Sequence, residues 1–374
     1  MNSTGRRLRI GVFTKPLDDW NSGSGHHLDE IVRHLVDLND AEGLGLDLTL
    51  IHYAPSENPI YARARELIVP RNPLRAAHAV DREGFDLVHY SPLTVYSPIV
   101  GVRARKTATV HGAEEALFPE GYSLVQRIHE AVAMPILMRR MDGVATVSET
   151  SKRLFVSRYR VRPERVFITP NGLSPSYRVL PRESLRCPIG GVDRPFILHI
   201  SKYSTRKNPA GIIGGFARFV AKTGSDYLLV CAGRGWDGPG PRSVAEAEGV
   251  SSRYVAPGFV SEADAATLLN LARAFVFPSF AEGFGMPNLE AMASACPVVT
   301  SPTGAIPEIV ADAALLAEAG DADAIGEALA RAVADSGEKK ALVERGLARA
   351  SLFDWDESAR ALARSWRDIC EKGR

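Results

Sequence analysis

Several things this chain has little of narrow its function before any motif is considered. Cysteine is scarce: four residues, at 187, 231, 296 and 370, show no metal-ligand spacing and no disulfide framework, as suits a reducing cytoplasm. Excess charge is missing too. The 45 basic and 44 acidic residues leave a formal net charge of +1, which gives no electrostatic reason to expect nucleic acid. No apolar run approaches the roughly 20 residues of a membrane span. Met1-Asn-Ser-Thr-Gly-Arg-Arg-Leu-Arg9 runs straight into a strand without the apolar core of a signal peptide, so a cytoplasmic location is the expectation. A P-loop is excluded because no Gly-Lys-Ser/Thr occurs. Gly23 and Gly25 invite comparison with a dinucleotide fingerprint, but that motif follows its strand at once. Here about nine residues intervene, and Leu28 stands where the third glycine belongs.

What is present is an alternation of strands and helices. A length of 374 residues suggests two domains, and 45% apolar with 24% charged residues is ordinary for a globular protein. Leu8-Arg-Ile-Gly-Val-Phe13 reads as the first buried strand. After a loop ending Asn21-Ser-Gly-Ser-Gly-His-His27, a helix runs through Ile31, Leu35 and Leu38. Further strands are expected at 46–51, 86–90, 107–111, 143–147 and 165–168. Residues 173–193 are rich in Pro, Ser, Arg and Gly without periodicity and read as a linker. A second series follows, with strands at 195–200, 227–231, 255–260, 275–277 and 297–300. Alternation of this kind implies an α/β fold with doubly wound sheets. The expected domains are 1–172 and 194–351, with a closing helix in 352–374.

The most informative stretch is Phe275-Val-Phe-Pro-Ser-Phe-Ala-Glu-Gly-Phe-Gly-Met-Pro-Asn-Leu-Glu290. A short β-branched and aromatic strand ends at Pro278, and a helix restarts at Pro287, where the missing N–H costs nothing. The loop therefore lies at the carboxyl end of a strand, where open α/β sheets bind ligands. Gly283 and Gly285 let backbone N–H groups approach a ligand, and the helix N-terminus attracts phosphate. Glu282 in the loop and Glu290 in the first helical turn are acceptors suited to sugar hydroxyls. Either acid alone is an ordinary surface charge. Together, flanking an anion-binding backbone, they suit a ligand with hydroxyls at both ends and phosphate in the middle, the shape of a nucleotide sugar.

Other candidates follow the same logic. Ser201-Lys-Tyr-Ser-Thr-Arg-Lys-Asn208 places Lys202, Arg206 and Lys207 at a strand-to-helix junction, a setting for a diphosphate or simply a solvated basic loop. Gly233 and Arg234 follow a strand, as do Gly258 and Phe259, and these are candidates for the base side of the ligand. His111 closes Thr-Ala-Thr-Val-His111, where a lone histidine is structural or faces a ligand at the carboxyl edge.

Glu282-Gly-Phe-Gly-Met-Pro-Asn-Leu-Glu290-Ala resembles the Glu-x7-Glu signature of retaining glycosyltransferases, especially family 4 of the GT-B fold. Thr169-Pro-Asn-Gly172, Val147-Ser-Glu-Thr-Ser-Lys-Arg153, Ser201 to Asn208 and Phe353-Asp-Trp355 resemble further segments of that family. Gly23-Ser-Gly25 and Ala305-Ile-Pro-Glu308 look closest to bacterial mannosyl- and rhamnosyltransferase-like members. The resemblance implies two Rossmann-like domains facing across a cleft, with the last helix crossing back to the first domain. It implies that Glu290 binds the ribose and Glu282 the donor sugar, with backbone around Gly283, Phe284, Gly285 and Met286 meeting sugar and diphosphate. By the same resemblance Lys207 and Lys202 neutralise the leaving diphosphate, His111 contacts the sugar, and Gly23 and Gly25 approach the diphosphate. Two positions depart from the family. Lys202 replaces a frequent arginine, exchanging a bidentate fork for a point charge, and Gly112 replaces a frequent aspartate on the acceptor side.

The expected function is retaining transfer of a hexosyl unit from a nucleotide-diphosphate sugar, GDP- or UDP-linked, to a hydroxyl of a glycan, lipid-linked or small-molecule acceptor. No metal is expected, because cations and helix N–H groups already face the diphosphate. The rival readings are a nucleotide-sugar epimerase of similar fold and a non-catalytic nucleotide-sugar-binding protein. Residues 124–141, with Val125, Ile128, Val132, Ile136 and Leu137 beside Arg127, Arg139 and Arg140, form either a core-packed helix or an interfacial one contacting the inner face of the cell membrane.

Overall fold

A computed structural model describes residues 6–14, 23–112 and 114–372. The chain divides into two compact units, residues 1–116, 124–172 and 354–374 forming unit 1 and residues 117–123 and 173–353 forming unit 2. The 173–193 segment, read as linker from sequence, thus clusters with unit 2, as does the short run 117–123.

Unit 1 contains β1 (Leu8–Phe13), β2 (Leu46–His52), β3 (Arg65–Ile68), β4 (Leu87–Tyr90), β5 (Arg105–Thr109), β6 (Gly143–Thr146) and β7 (Val166–Ile168). They form one parallel sheet in the order β3-β2-β1-β4-β5-β6-β7. Its helices are α1 (Gly23–Glu42), α2 (Pro73–Arg82), α4 (Leu124–Ile128), α5 (Met134–Arg139) and α6 (Glu149–Tyr159); α3 (Glu114–Leu117) leads into the segment that joins unit 2. A π turn, His129–Ala133, separates α4 from α5.

Unit 2 contains β8 (Phe196–Ile200), β9 (Leu228–Ala232), β10 (Tyr254–Gly258), β11 (Ala274–Phe277), β12 (Val298–Thr300) and β13 (Leu315–Leu316). These are parallel in the order β10-β9-β8-β11-β12-β13. The helices are α7 (Pro209–Thr223), α8 (Pro239–Ala247), α9 (Glu262–Leu271), α10 (Met286–Ala293), α11 (Ile306–Val310), α12 (Ala322–Val333) and α13 (Gly337–Ala350). The last helix, α14 (Trp355–Glu371), packs Trp355, Ala359, Leu362, Ala363 and Trp366 into the unit 1 core beside Leu28, Ile31 and Leu35 of α1.

Strands covered on both faces must be apolar throughout. All five residues of β9, Leu-Leu-Val-Cys-Ala, are buried, which is why the central strands are legible in the sequence. Two edge strands were not expected. β3 reads Arg-Glu-Leu-Ile and is largely exposed, so polarity hides it, while β13 is only two residues long. Three local expectations need correction. β5 ends at Thr109, so His111 lies in the loop beyond the strand. Gly23 and Gly25 form the first turn of α1 and are not part of a loop; residues 15–22 lie outside the described residues. α10 begins at Met286 because Gly285 supplies a left-handed cap (φ 94°), which puts Glu290 one turn beyond the helix start.

Candidate active site

The order of the unit 2 sheet reverses between β8 and β11, which pair directly (Ala274 with Ile197, Phe275 with Leu198). The loops leaving their carboxyl ends are therefore neighbours, at the switch point where such sheets bind ligands. Asn208 joins them. Its backbone is left-handed (φ 59°), its Oδ1 accepts from the Gly211 N–H at 2.9 Å, and its Nδ2 donates to the carbonyls of Pro278 (2.9 Å) and Ala319 (2.5 Å). Fixed this way, the β8 loop delivers two cations to one carboxylate. Arg206 Nη1 lies 2.8 Å and Lys207 Nζ 2.5 Å from Glu282 Oε1. Lys207 also sits 4.5 Å from the centroid of the Phe277 ring.

Glu282 is 6% exposed. Burial alone would raise its pKa, but Lys207 and then Arg206 outweigh burial and hold the carboxyl below its ordinary value. Both ion pairs are closest at Oε1. The backbone around it is tightly held. The Ala305 N–H donates to the Glu282 carbonyl at 2.9 Å, and a Cβ at Gly304 (φ 56°) would lie 2.3 Å from that oxygen, so position 304 has room only for glycine. Phe284 packs edge-on to Phe353 at 5.7 Å. Gly283 and Gly285 lead to the start of α10, which carries no side-chain cap; Pro287 has no N–H and the Asn288 N–H donates to the Gly285 carbonyl at 3.0 Å, so of its first three positions Met286 has the N–H to offer a ligand.

On α10, Glu290 is half-buried, and its carboxyl is pushed up to about 7 by burial and by the nearby charge of Glu262. Glu262 Oε1 in turn accepts from Ser174 Oγ at 2.5 Å. The Tyr177 phenol belongs to the same cluster, its pKa raised by burial, by Glu290 and by Glu262. A folded-state pKa above the ordinary 4.5 means that the carboxyl favours folding most at low pH. That contribution is lost as pH rises through about 7. Glu290→Gln is therefore expected to raise Tm at pH 8, by an amount corresponding to about 1 kcal/mol after allowance for remaining hydration, and to leave Tm nearly unchanged at pH 5. The same variant loses acceptors for hydroxyls, so nucleotide-diphosphate affinity should fall roughly 10- to 100-fold at pH 8. Thermal denaturation and titration calorimetry check both; unchanged affinity would remove Glu290 from the site.

Two glycines bring β9 and β10 together beside this site. Gly233 (φ 122°) donates its N–H to the Gly258 carbonyl at 2.7 Å, and a Cβ there would sit 1.9 Å from the Ser201 carbonyl oxygen. Arg234 lies 5.6 Å from the centroid of the exposed Phe259 ring. Lys202 is exposed and has no ion-pair partner among the described residues. Unit 1 carries the remaining candidates. Gly23 and Gly25 open α1. His111 has an Nε2 closed off from solvent without a hydrogen-bond partner, and burial lowers its pKa to about 4, so the ring is neutral at pH 7. Its neighbour is His27, at a ring-centroid distance of 4.4 Å.

Sequence reasoning did not single out Asn208, Tyr177, Glu262 or His27. Tyr177 fell in the aperiodic stretch and Glu262 opened an ordinary helix. His27 did carry a signal, a polar residue on the buried stripe of α1 with Ile31 and Leu35. Among the described residues no group of three or more His, Cys, Asp or Glu is placed to hold a metal ion.

Known proteins share this arrangement of sequence. The family described as Glycosyl transferases group 1 matches residues 189–349, and Glycosyltransferase Family 4 matches residues 22–177. O-antigen chain mannosyltransferase B of Escherichia coli is 30% identical over 386 aligned positions, covering 93% of this chain and 97% of that protein. The chain is a family 4 glycosyltransferase. The MMP alpha-(1->4)-mannosyltransferase of Mycolicibacterium hassiacum is 28% identical, over 75% of this chain and 64% of its own. Among solved structures, Anabaena HepE in complex with UDP and glucose aligns with a TM-score of 0.76 at 17% identity, covering 97% of this chain and all of that one (100%). Sucrose-phosphate synthase from Thermosynechococcus elongatus aligns with a TM-score of 0.74 at 18% identity, over 97% and 99% of the two chains. Likeness at such identity establishes the fold, which is GT-B. The glycosyltransferase moves a sugar from a nucleotide-diphosphate donor to an acceptor hydroxyl.

Proposed function

We propose that this glycosyltransferase is a retaining mannosyltransferase that extends a glycan. The observation that carries the reading is the triad of buried Glu282 with the partly buried Arg206 and Lys207 at the sheet switch point, beside the start of α10, which has no side-chain cap. Breaking the bond from the anomeric carbon to phosphate places negative charge on the diphosphate and positive charge on the sugar. The two cations and the Met286 N–H at the start of α10 are preorganised for the first charge, and Glu282 for the second. In this reading Glu282 faces donor-sugar hydroxyls and Glu290 the ribose. Lys202, Gly23 and Gly25 meet the diphosphate, and Arg234 with Phe259 provides a surface for the base. His111, neutral at pH 7, meets the sugar. The mannosyl assignment is supported by the names of the E. coli and M. hassiacum relatives.

The test is a nucleotide-diphosphate release assay with GDP- and UDP-linked mannose and glucose, each with and without a glycan acceptor. Acceptor-dependent release from one mannosyl donor, surviving EDTA, is the expected result. A rearranged sugar nucleotide formed without acceptor would make the protein an epimerase, and restoration of lost activity by magnesium would overturn the metal-independent charge balance.

A lipid-linked acceptor has its own support. Leu124, Val125, Ile128, Val132 and Ile136 are 43–77% exposed along α4, the π turn and α5, where a core-packed helix would bury them. The one acid in this segment, Glu130, is buried and accepts from Tyr159 OH, leaving arginines 127, 139 and 140 as its exposed or partly exposed charges. An apolar stripe flanked by cations suits an anionic lipid surface. Co-sedimentation with phosphatidylglycerol vesicles is expected and should weaken in Val125→Ser/Ile128→Ser. Equal binding to neutral and anionic vesicles, or none, would sink it.

A further inference from the structure

Two buried aromatic rings, a partly buried one and one carboxamide meet within unit 1. His27, on α1, is 3% exposed. Its Nδ1 lies 2.7 Å from Oδ1 of Asn171, which is also buried. The His27 and His111 rings stand edge to face, 4.4 Å apart at 85°, and Trp355 of α14 meets His27 at 5.4 Å. A neutral imidazole that donates from Nδ1 to a carboxamide oxygen has one defined tautomer and a fixed ring plane.

The turn that carries Asn171 is itself clamped. Ser358 Oγ donates to the Pro170 carbonyl, and a Cβ on Gly172 would lie 2.2 Å from the Trp355 backbone nitrogen. Pro170-Asn-Gly172 is therefore pressed against the start of α14, and the carboxamide is held in place by the backbone on either side. His111 in contrast has an unpartnered Nε2 shielded from solvent, a group that costs free energy until a ligand or water completes it.

We propose that His27, oriented by Asn171, is the positioning residue that sets the ring plane of His111 toward the donor sugar. The proposal rests on His111 facing the donor. The charged and titratable groups that act on His27 are His26 on its own helix, His89 on β4 and His111 beyond β5. All three are bases, and α14 and the turn after β7 present Trp355 and Asn171 to the ring. A positive charge on His27 would lie against His111. Burial, the largest cause, and then His111 keep its pKa well below the ordinary range. Asn171 is what makes this arrangement stable without charge, since a carboxamide orients the ring without drawing a second proton onto it.

The experiment is steady-state kinetics of the enzyme at saturating donor, from about pH 5.5 to about 8.5, with the kcat of each variant taken as a ratio to wild type at the same pH. Asn171→Asp places a carboxylate on Nδ1–H and favours the imidazolium, so kcat should fall as pH drops from about 8 to about 6 and recover at high pH. His27→Phe keeps the ring contacts and loses the bond, so kcat should fall about 10- to 100-fold with donor KM within about twofold. His27→Phe/Asn171→Leu removes the stranded carboxamide as well; it should regain Tm without regaining kcat, which a merely structural role would not allow. Circular dichroism establishes folding, and His27→Phe carries the test should Asn171→Asp not fold. If His111→Ala keeps wild-type kcat, the placing of His111 at the donor fails and the positioning role fails with it. If His111→Ala is impaired while His27→Phe turns over normally and Asn171→Asp shows a flat profile, the positioning role alone is overturned.

Discussion

Replacing Lys207 with alanine is expected to lower kcat by about 10²–10³ at saturating donor, the usual loss for one preorganised electrostatic donor. The side chain is only 12% exposed, and its ammonium is fixed between Glu282 Oε1 and the face of Phe277. A cation already in place needs no reorganisation when the diphosphate gains charge. In the proposed role it interacts more strongly with the departing diphosphate than with bound donor, so its loss should appear in kcat and not only in affinity. Lys207→Arg keeps the charge but changes its geometry and should retain part of the activity. Arg206 remains on Glu282 in either variant, so the carboxylate is not left alone and the fold should survive, as circular dichroism would show. Wild-type turnover in a folded Lys207→Ala enzyme would reduce this lysine to a structural partner of Glu282.

Glu282→Gln should have an effect of the same order on turnover and a larger one on stability. Removing one member of a buried ionic cluster strands its partners, at a cost of about 3–5 kcal/mol. The side chains of Arg206 and Lys207 are 19% and 12% exposed, so some hydration remains and the lower end applies. For a unit of this size about 3 kcal/mol corresponds to a fall in Tm of roughly 6–12 °C. The stranded cations also give the test its direction. A nucleotide diphosphate brings back negative charge, so it should restore part of the lost Tm and bind at least as tightly as to wild type while kcat stays low. Loss of nucleotide binding in parallel with activity would mean that Glu282, and not the cations, anchors the diphosphate.

Much of the site was legible because its parts are local. Glu282 and Glu290 are joined by one loop and one helix, and strand-to-helix junctions announce themselves through β-branched runs, glycine and proline. The basic loop after β8 was legible for the same reason. The partner of its cations was not. Lys207 and Glu282 are 75 residues apart, and their contact exists because β11 crosses over to lie beside β8. Glu290 was legible as an acceptor for ribose hydroxyls, but its raised pKa was not, because burial and the nearness of Glu262 on α9 cause it.

By itself the sequence determined the α/β class, the strands covered on both faces, and the family, through a motif whose spacing is set by covalent chain. Periodicity and turn chemistry act over a few residues, so they are written in any window of that length. Strand order, and with it every pairing across long stretches of chain, was decided only in the tertiary structure. The bond between His27 and Asn171 spans 144 residues. The apolar stripe of α4 and α5 has the composition of a buried helix, and only the packing of Met134, Leu137 and Met138 shows which of its faces is covered and which is left to solvent. Burial and charge are properties of neighbours in space, and neighbours are what a folded chain supplies.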